Sequence, residues 1–327
     1  MNANVSLKKI ATELNRARSL LIVTHKEPDI DGIASMLGLG KALVNAKKEV
    51  LLLTEEPLSA PLDLLKGANR IIQDFDFGRH FDGAVVLDCG ERERIGVLGS
   101  YLEMPKPMIN IDHHETNGFF GDLNLVDTES SSTGELVYKI IKAAGFPIDH
   151  DVAENIFAAI QADTGSFKYA NATPASLKIA AEMMEYGVSP WELSQKLIDG
   201  YSLSRLKLLE MALGTIEFHH TGKIGVMTLS SEMFKKAQAN QLDSERFVDY
   251  PRFVSGVEIA ILIRQTGMNH YKFSLRSNSR VNVAQLASRF GGGGHARAAG
   301  LECHGSIRTL KRDLLKEAVR FLDGIPN

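Results

Sequence analysis

The chain has only two cysteines and one tryptophan among its 327 residues, and no apolar run approaches the ~20 residues of a membrane helix. The two cysteines, Cys89 and Cys303, lie far apart and do not make a disulfide scaffold, so a reducing cytoplasm is the expected location. The first residues lack the continuous apolar segment and the cleavage site of a secretory signal peptide. These absences argue against a disulfide-rich secreted protein and against a membrane-embedded one.

Charge is distributed unevenly along the chain. Residues 251–327 carry 12 Lys+Arg against 5 Asp+Glu, whereas residues 1–250 carry 25 Lys+Arg against 35 Asp+Glu. Part of the basic excess is typical of solvated helix faces, but the asymmetry also indicates an anionic substrate held between the two parts. A length of 327 residues predicts about two domains.

Strand-like apolar runs alternate with helical patterns through the first part of the chain. This alternation is typical of an α/β domain with a Rossmann-like, mostly parallel sheet and helices on both faces. We predict this domain over residues 1–188, a helical connector or hinge over 189–215, and a smaller C-terminal α/β domain over 216–327 across a cleft. The elements predicted for the first domain are helices at 6–18, 31–46, 132–146, 151–163 and 174–188 and strands at 20–24, 49–54, 83–88 and 107–112.

Aspartates and histidines stand where the predicted elements stop. They are His25, Asp29, Asp31, Asp88, Asp112, His113, His114 and Asp163. Parallel strands deliver the residues at their carboxyl ends to one rim of the sheet, so we expect these side chains to meet. A single aspartate of this kind is often only a helix cap, but the joint cluster needs a counter-charge, which two divalent cations would supply. Carboxylate and imidazole ligands without thiolates favour Mn²⁺, with Mg²⁺ and Co²⁺ as alternatives, over a structural zinc site.

A glycine-rich segment, GGGGHARAAG at 291–300, follows a predicted helix near the end of the chain. Consecutive glycines are costly in backbone entropy unless the chain needs a positive φ or a close approach. Their amides are able to cradle a phosphate, and His295 and Arg297 add charge beside them. A helix end followed by a flexible loop is the alternative interpretation. The alternating spacing of Tyr271 and Phe273 indicates strand packing rather than base stacking.

The order of these blocks resembles that of the DHH phosphoesterase superfamily: H-x-x-x-D-x-D, an isolated Asp after a strand, D-H-H, and an Asp at a helix end. The resemblance covers nearly the whole chain and implies two metal ions that share one aspartate. The implied ligands are His25, Asp29 and Asp88 for one ion, and Asp88, Asp31, His113 and Asp163 for the other.

The resemblance also implies catalytic roles for three residues. Asp88 would bridge the two ions, His114 would face the substrate phosphate, and Asp112 would orient its neighbours. The implied reaction is in-line attack of water on phosphorus, with the cations lowering the pKa of that water and offsetting charge on the phosphoryl oxygens.

The segment SLRSNSRVNVAQLASRFGGGGHARAAG resembles the C-terminal substrate-binding domain that accompanies many DHH phosphoesterases, including the stand-alone NrnA-type nanoRNases. By this resemblance, Arg276 and His295 are the best candidates for phosphate contacts. The further candidates for substrate binding are Gly292, Gly293, Gly294, Arg264 and Arg297.

The resemblance implies hydrolysis of very short RNA to mononucleotides and of 3′-phosphoadenosine 5′-phosphate (pAp) to AMP. Cleavage of cyclic di-AMP or of its linear product pApA is the alternative, and a nucleotide sensor without catalysis is a more distant one. The glycine-rich segment disfavours a family II pyrophosphatase, and the chain length disfavours a RecJ-like processive exonuclease. The expected partner is therefore short RNA or a nucleotide, and binding to a membrane or to long DNA is not expected. The sequence leaves homodimer formation open.

Overall fold

The computed structural model describes residues 5–73, 79–103, 105–197, 201–278 and 280–324. The chain divides into two units, Met1–Gly200 and Tyr201–Asn327. The predicted connector, 189–215, contains two helices, one in each unit, with residues 198–200 outside the described part of the chain. The predicted domain boundaries and the role of the connector as a hinge stay predictions.

A six-stranded sheet forms the centre of the first unit. Its strands are β1 (Ser19–Val23), β2 (Glu49–Leu53), β3 (Ile71–Ile72), β4 (Ala84–Leu87), β5 (Met108–Asp112) and β6 (Leu123–Val126). The helices of the unit are α1 (Leu7–Arg16), α2 (Ile30–Asn45), α3 (Thr133–Ala144), α4 (His150–Asp163), α5 (Pro174–Glu185) and α6 (Pro190–Leu197). All strand pairs are parallel, in the order β3-β2-β1-β4-β5-β6, so the predicted Rossmann-like sheet is confirmed.

The central strands are buried on both faces, which explains their continuous apolar sequences. In β1, Leu20 and Ile22 pack against the α helices, whereas Leu21 and Val23 face the opposite layer. That opposite layer is formed by 3₁₀ turns over Arg92–Glu103 and not by the α helices that the alternating pattern predicted there. Within those turns Gly96 has a φ of 71°, which interrupts any regular helix.

The strand order places a reversal point beside β1. The chain passes from β1 through α2 to β2 on one side, whereas β4 lies on the other side of β1. In open parallel sheets, the loops that leave such a point in opposite directions open a crevice at the carboxyl ends of the two strands. The fold therefore provides a ligand-binding position between the ends of β1 and β4.

The second unit contains a mixed six-stranded sheet. Its strands are β7 (Glu217–His219), β8 (Ile224–Leu229), β9 (Ile259–Gly267), β10 (His270–Ser277), β11 (Gly293–His295) and β12 (Ala298–His304). Its helices are α7 (Leu203–Leu213), α8 (Ser231–Ala237), α9 (Asp249–Arg252), α10 (Val283–Ser288) and α11 (Ile307–Asp323). The strand order is β11-β12-β10-β9-β8-β7, and of the described pairs only β8 and β9 run parallel.

The two aromatic residues of β10 belong to the core of the second unit. Tyr271 is 8% exposed and Phe273 is 1% exposed, and both pack among apolar side chains. The prediction of packing rather than base stacking is confirmed for both. Among the described residues, no helix combines the length and the apolar character that crossing a membrane requires.

The close packing of α3 on α4 generates a testable prediction. A Cβ added at Gly134 would lie 2.4 Å from the Ala159 Cβ, so Gly134→Ala would force the helices apart and cost about 1–3 kcal/mol of unfolding free energy. Thermal unfolding followed by circular dichroism should show a lower Tm for this variant. Gly99→Ala is the control, because the new Cβ there would approach no atom closer than 3.8 Å. Equal Tm values for the two variants would contradict this account of the α3–α4 contact.

Candidate active site

The predicted aspartates and histidines meet at the carboxyl ends of the central strands. His25 lies just beyond the end of β1, Asp88 directly follows β4, and β5 ends at Asp112. These positions surround the point where the strand order reverses. Asp88 also has a left-handed backbone conformation, with a φ of 56°. Such a conformation is uncommon outside glycine and is found preferentially at functional sites.

One group of ligand atoms belongs to His25, Asp29 and Asp88, and these atoms all lie within 4.8 Å of one another. His25 Nε2 lies 3.7 Å from Asp88 Oδ2, and His25 Nδ1 lies 2.8 Å from the carbonyl oxygen of Lys26. Because Nδ1 is directed at that carbonyl, Nε2 is the ring nitrogen that faces the carboxylates and is available to a metal, as in many metal-binding histidines. Asp29 is also the N-cap of α2 and accepts a hydrogen bond from the Gly32 amide. The helix cap and the metal ligand are therefore compatible roles for Asp29.

A second group contains Asp31, His113 and Asp163. His113 Nε2 lies 3.7 Å from Asp31 Oδ2, 3.7 Å from Asp163 Oδ2 and 3.6 Å from Asp88 Oδ1. Asp88 therefore faces the two groups with different oxygens. Ligand atoms about 2.0–2.2 Å from one cation are roughly 3–3.6 Å apart, so the residues present have the donor types and nearly the spacing that a divalent cation needs.

The pKa values of the cluster reflect crowded carboxylates. Burial, followed by the charges of neighbouring carboxylates, raises the pKa of Asp31 well above its ordinary range. Burial also raises the pKa of Asp163 to about 6, against the opposing charge of His113. For Asp88, burial acts in the same direction, but the neighbouring imidazoles outweigh it and lower the pKa to about 2. Positive charge among these carboxylates would relieve their repulsion, which is a second reason that the site fits divalent cations.

Asp112 and His114 form a hydrogen-bonded pair, with 2.6 Å between Asp112 Oδ1 and His114 Nδ1. The other oxygen of the buried Asp112 accepts a hydrogen bond of 2.6 Å from Asn117 Nδ2. Burial alone would lower the pKa of His114, but the bond to Asp112 outweighs it and the pKa is raised to about 9. The carboxylate thus favours the cationic form of the ring, in which both ring nitrogens carry a proton.

Three residues of the site were not predicted from the sequence. They are Thr133, whose Oγ1 lies 3.0 Å from Asp88 Oδ1; Arg94, with an Nη2 3.2 Å from His25 Nδ1; and Asn117. Thr133 and Arg94 reach the site through tertiary packing, so no regular spacing relates them to the acidic and histidine blocks. Asn117 lies close after His114 in the sequence, but its residue type did not indicate a role. Thr133 follows Ser132, which is the N-cap of α3.

The glycine-rich segment of the second unit forms an edge strand instead of a flexible loop. Gly293–His295 pairs with β12 as strand β11. Gly291 has a φ of 76° just beyond α10, and Gly294 has a φ of 137°. A Cβ on Gly292 would lie 2.2 Å from a backbone oxygen of β12, whereas a Cβ on Gly293 would meet nothing within 4 Å. Positive φ and close approach therefore account for three of the four glycines, and the flexible-loop interpretation is wrong.

The two best candidates for phosphate contacts lie in one row of the second sheet. Arg276 on β10 pairs with Ala298 on β12, and Ala298 pairs with His295 on β11. Arg276 is half-buried, and Arg297 is exposed in the turn that joins β11 to β12. The side chain of His295 lies outside what the structure describes. Phosphate binding by these residues stays a prediction.

Arg264 has hydrogen-bond partners inside its own unit. Its Nη1 donates to Ser244 Oγ at 3.0 Å and to the carbonyl oxygen of Gln241 at 3.3 Å. Burial lowers the pKa of this guanidinium. These bonds give Arg264 a structural role that the sequence did not predict, and its contact with a substrate stays a prediction.

The raised pKa values predict how the metal-free protein responds to pH. Groups with raised pKa values stabilise the fold at low pH and lose that contribution as pH rises, Asp163 through about 6 and His114 through about 9. The Tm of chelator-treated protein should therefore fall between pH 5 and pH 8. Asp163→Asn should raise the Tm of the metal-free protein by a few °C at pH 8 and by less at pH 5, as measured by differential scanning calorimetry.

Asp122→Asn is the matched control for this experiment. Burial acts to raise the pKa of Asp122, but hydrogen bonds from the Met108 amide and from Lys106 outweigh it, so the pKa is lowered. Loss of this carboxylate should not stabilise the protein at either pH. A lower Tm for Asp163→Asn than for the unsubstituted protein at pH 8 would contradict a raised pKa of Asp163.

Family models match both units of the chain. The N-terminal domain of the DHH family matches residues 19–199, and the DHHA1 domain matches residues 222–324. A Thermus thermophilus protein named bifunctional oligoribonuclease and PAP phosphatase NrnA is 33% identical over 312 residues, covering 92% of this chain and 89% of that protein. A Bacillus subtilis protein of the same name is 26% identical over 296 residues, covering 88% of this chain and 92% of that protein.

A solved structure agrees with this assignment. The crystal structure of an exopolyphosphatase-related protein from Bacteroides fragilis is similar to this chain with a TM-score of 0.89 and 28% identity, covering 97% of this chain and 95% of that one. The resemblance noted from the acidic and histidine blocks is therefore confirmed. The chain belongs to the DHH family of phosphoesterases.

Proposed function

We propose that this chain is a two-metal phosphoesterase that hydrolyses very short oligoribonucleotides to mononucleotides and pAp to AMP. The observation that carries the two-metal part is the position of Asp88, whose Oδ2 faces His25 and whose Oδ1 faces His113. The substrate part is supported by the relatives from Thermus thermophilus and Bacillus subtilis, which are named oligoribonuclease and PAP phosphatase.

The proposed ligands divide into two sets that share Asp88. They are His25, Asp29 and Asp88 for one cation, and Asp88, Asp31, His113 and Asp163 for the other. Mixed carboxylate and imidazole donors suit Mn²⁺ best, with Mg²⁺ or Co²⁺ as alternatives. The bound cations would lower the pKa of the attacking water and offset negative charge on the phosphoryl oxygens.

His114 would act as the proton or hydrogen-bond donor to the phosphate group. In hydrolysis a bond forms between the water oxygen and phosphorus, the bond from phosphorus to the ester oxygen breaks, and that oxygen needs a proton. Because Asp112 holds the ring cationic, His114 would supply this proton from Nε2 or donate a hydrogen bond to a non-bridging oxygen. Asp112 itself would act by orienting the ring.

The second unit would bind the other phosphates of the substrate. Gly293 has neither a positive φ nor a close neighbour to explain the absence of a side chain. An exposed strand of glycine amides followed by Arg297, in one row of the sheet with Arg276 across β12, suits a phosphate that approaches the backbone closely. Binding of this kind favours short substrates that carry a phosphate in addition to the one at the reacting bond.

The reaction is tested with four substrates side by side: a five-nucleotide RNA, pAp, pApA and cyclic di-AMP, each with Mn²⁺. We expect mononucleotide from the RNA and AMP from pAp. Asp88→Asn should lower kcat/KM at least about 10³-fold for both, because it removes the charge shared by the two cation sites. Asp122→Asn is the control, since Asp122 accepts a hydrogen bond from Met108 at the start of β5, opposite the strand ends that carry the site.

The four substrates also separate the competing functions. Preferred cleavage of cyclic di-AMP or pApA would assign the protein to cyclic dinucleotide turnover instead. Binding of a nucleotide without turnover of any substrate, at full Mn²⁺ occupancy, would identify a sensor and refute the proposed enzyme.

Phosphate binding by the second unit is tested with Gly293→Ala and Arg276→Ala. Each should raise KM for pAp roughly 10-fold with a smaller effect on kcat, because each weakens binding of a phosphate remote from the reacting bond. Arg312→Ala is the control for the loss of a positive charge as such. Arg312 pairs with Asp313 on α11 and is not one of the proposed phosphate-binding residues. Unchanged steady-state constants in both site variants would mean that substrate phosphates bind elsewhere.

A further inference from the structure

Helix α3 begins at the candidate metal site. Its N-cap, Ser132, accepts a hydrogen bond of 3.1 Å from the Glu135 amide. The two preceding amides, of Thr133 and Gly134, have no partner within the helix and need another acceptor. Both donate to Asp31, with 2.8 Å from the Thr133 nitrogen to Oδ2 and 3.0 Å from the Gly134 nitrogen to Oδ1. The start of α3 therefore fixes both oxygens of the Asp31 carboxylate.

The side chain of Thr133 reaches a different carboxylate. Its Oγ1 donates to Asp88 Oδ1 at 3.0 Å, and this oxygen lies 3.6 Å from His113 Nε2. Thr133 is fully buried, so water does not compete for either bond. A carboxylate oxygen has two lone pairs, and a hydrogen bond to one of them orients the group while leaving the other for a cation. Thr133 thus links Asp31 and Asp88, the first through its amide and the second through its hydroxyl.

The surroundings hold this threonine in place. Gly134 lets α3 lie directly against Ala159 of α4, the helix that ends at Asp163. On the other side, the amide and the hydroxyl of Ser131 both donate to the buried Glu135 carboxylate, at 3.1 Å and 2.8 Å. The loop before α3 and the first turn of α3 therefore form one hydrogen-bonded segment.

We propose that Thr133 is a positioning residue that orients two ligands of the second cation site before a cation binds. This second site is formed by Asp31, Asp88, His113 and Asp163. This inference rests on the proposed two-metal function. The hydroxyl of Thr133 directs Asp88 Oδ1 toward His113, while the amide of Thr133 holds Asp31 Oδ2 on the same side. Without the hydroxyl, Asp88 would still have Oδ2 beside His25, so the first cation site would be preserved and the second weakened.

The test compares Thr133→Val, which replaces the hydroxyl by a methyl group of similar size, with Thr133→Ser, which keeps the hydroxyl. Mn²⁺ binding is measured by electron paramagnetic resonance of the free ion, and bound metal is counted after dialysis. We expect two sites in the unsubstituted protein, and a second-site affinity about 10- to 100-fold weaker in Thr133→Val. Thr133→Ser should stay within about threefold of the unsubstituted protein, and high Mn²⁺ should restore activity to Thr133→Val.

Thermal unfolding of the metal-free variants separates positioning from packing. If Thr133 served only to cap and pack α3, Thr133→Val would lower the Tm without changing either Mn²⁺ affinity, and this result would overturn the proposal. Should Thr133→Val fail to fold, Thr133→Ala gives the same comparison without adding bulk, and unchanged second-site affinity there would also overturn it. Failure of the unsubstituted protein to bind two ions would instead refute the two-metal function itself.

Discussion

The candidate site depends on repulsion between carboxylates that the fold holds close together. Asp31 and Asp88 are each 2% exposed, and the same nitrogen of His113 lies within 3.7 Å of an oxygen of each. Like charges at this spacing interact much more strongly in a protein than in water, and burial removes the solvation that each would otherwise have. The sheet therefore tolerates this cluster only with positive charge nearby.

The scaffold itself supplies part of that charge. Helix α2 begins at its N-cap Asp29 and carries Asp31 in its first turn, and α3 directs two amides at Asp31. Each helix N-terminus is equivalent to roughly half a positive charge, so two of them provide about one. The four aspartates proposed as ligands carry about four negative charges when ionised. The remaining negative charge, about three, lies between the charge of one divalent cation and that of two, and any protonated imidazole offsets part of it.

Much of this site was predictable because strand ends are regular. Once β1, β4 and β5 were identified, the parallel sheet required His25, Asp88 and Asp112 to meet at one rim, and the structure brings them together there. The helices were also predictable, since their apolar periodicity matches the observed packing on one face of the sheet. The layer on the other face was not, because 3₁₀ turns have no comparable periodicity.

The structure of the glycine-rich segment was only partly predictable. A run of glycines shows that side chains are excluded, but it does not distinguish a positive φ from a close approach or from space left for a ligand. In the structure Gly291 and Gly294 have positive φ and Gly292 approaches β12 closely, so one run combines separate constraints. The position of β11 against β12 distinguishes these constraints, and a run of glycines by itself does not specify that pairing.

Residues that orient the ligands are harder to predict than the ligands themselves. The ligand types stand out because carboxylates and imidazoles rarely cluster without a reason. Thr133 and Asn117 are ordinary polar residues whose types do not indicate a role. The hydrogen bond from Thr133 to Asp88 exists only after distant elements have packed, whereas Asn117 reaches Asp112 from nearby in the sequence. Gly134, the next residue, lets α3 lie directly against Ala159 of α4, the helix that ends at the proposed ligand Asp163. The geometry of the site is therefore encoded partly in helix contacts outside the acidic and histidine blocks.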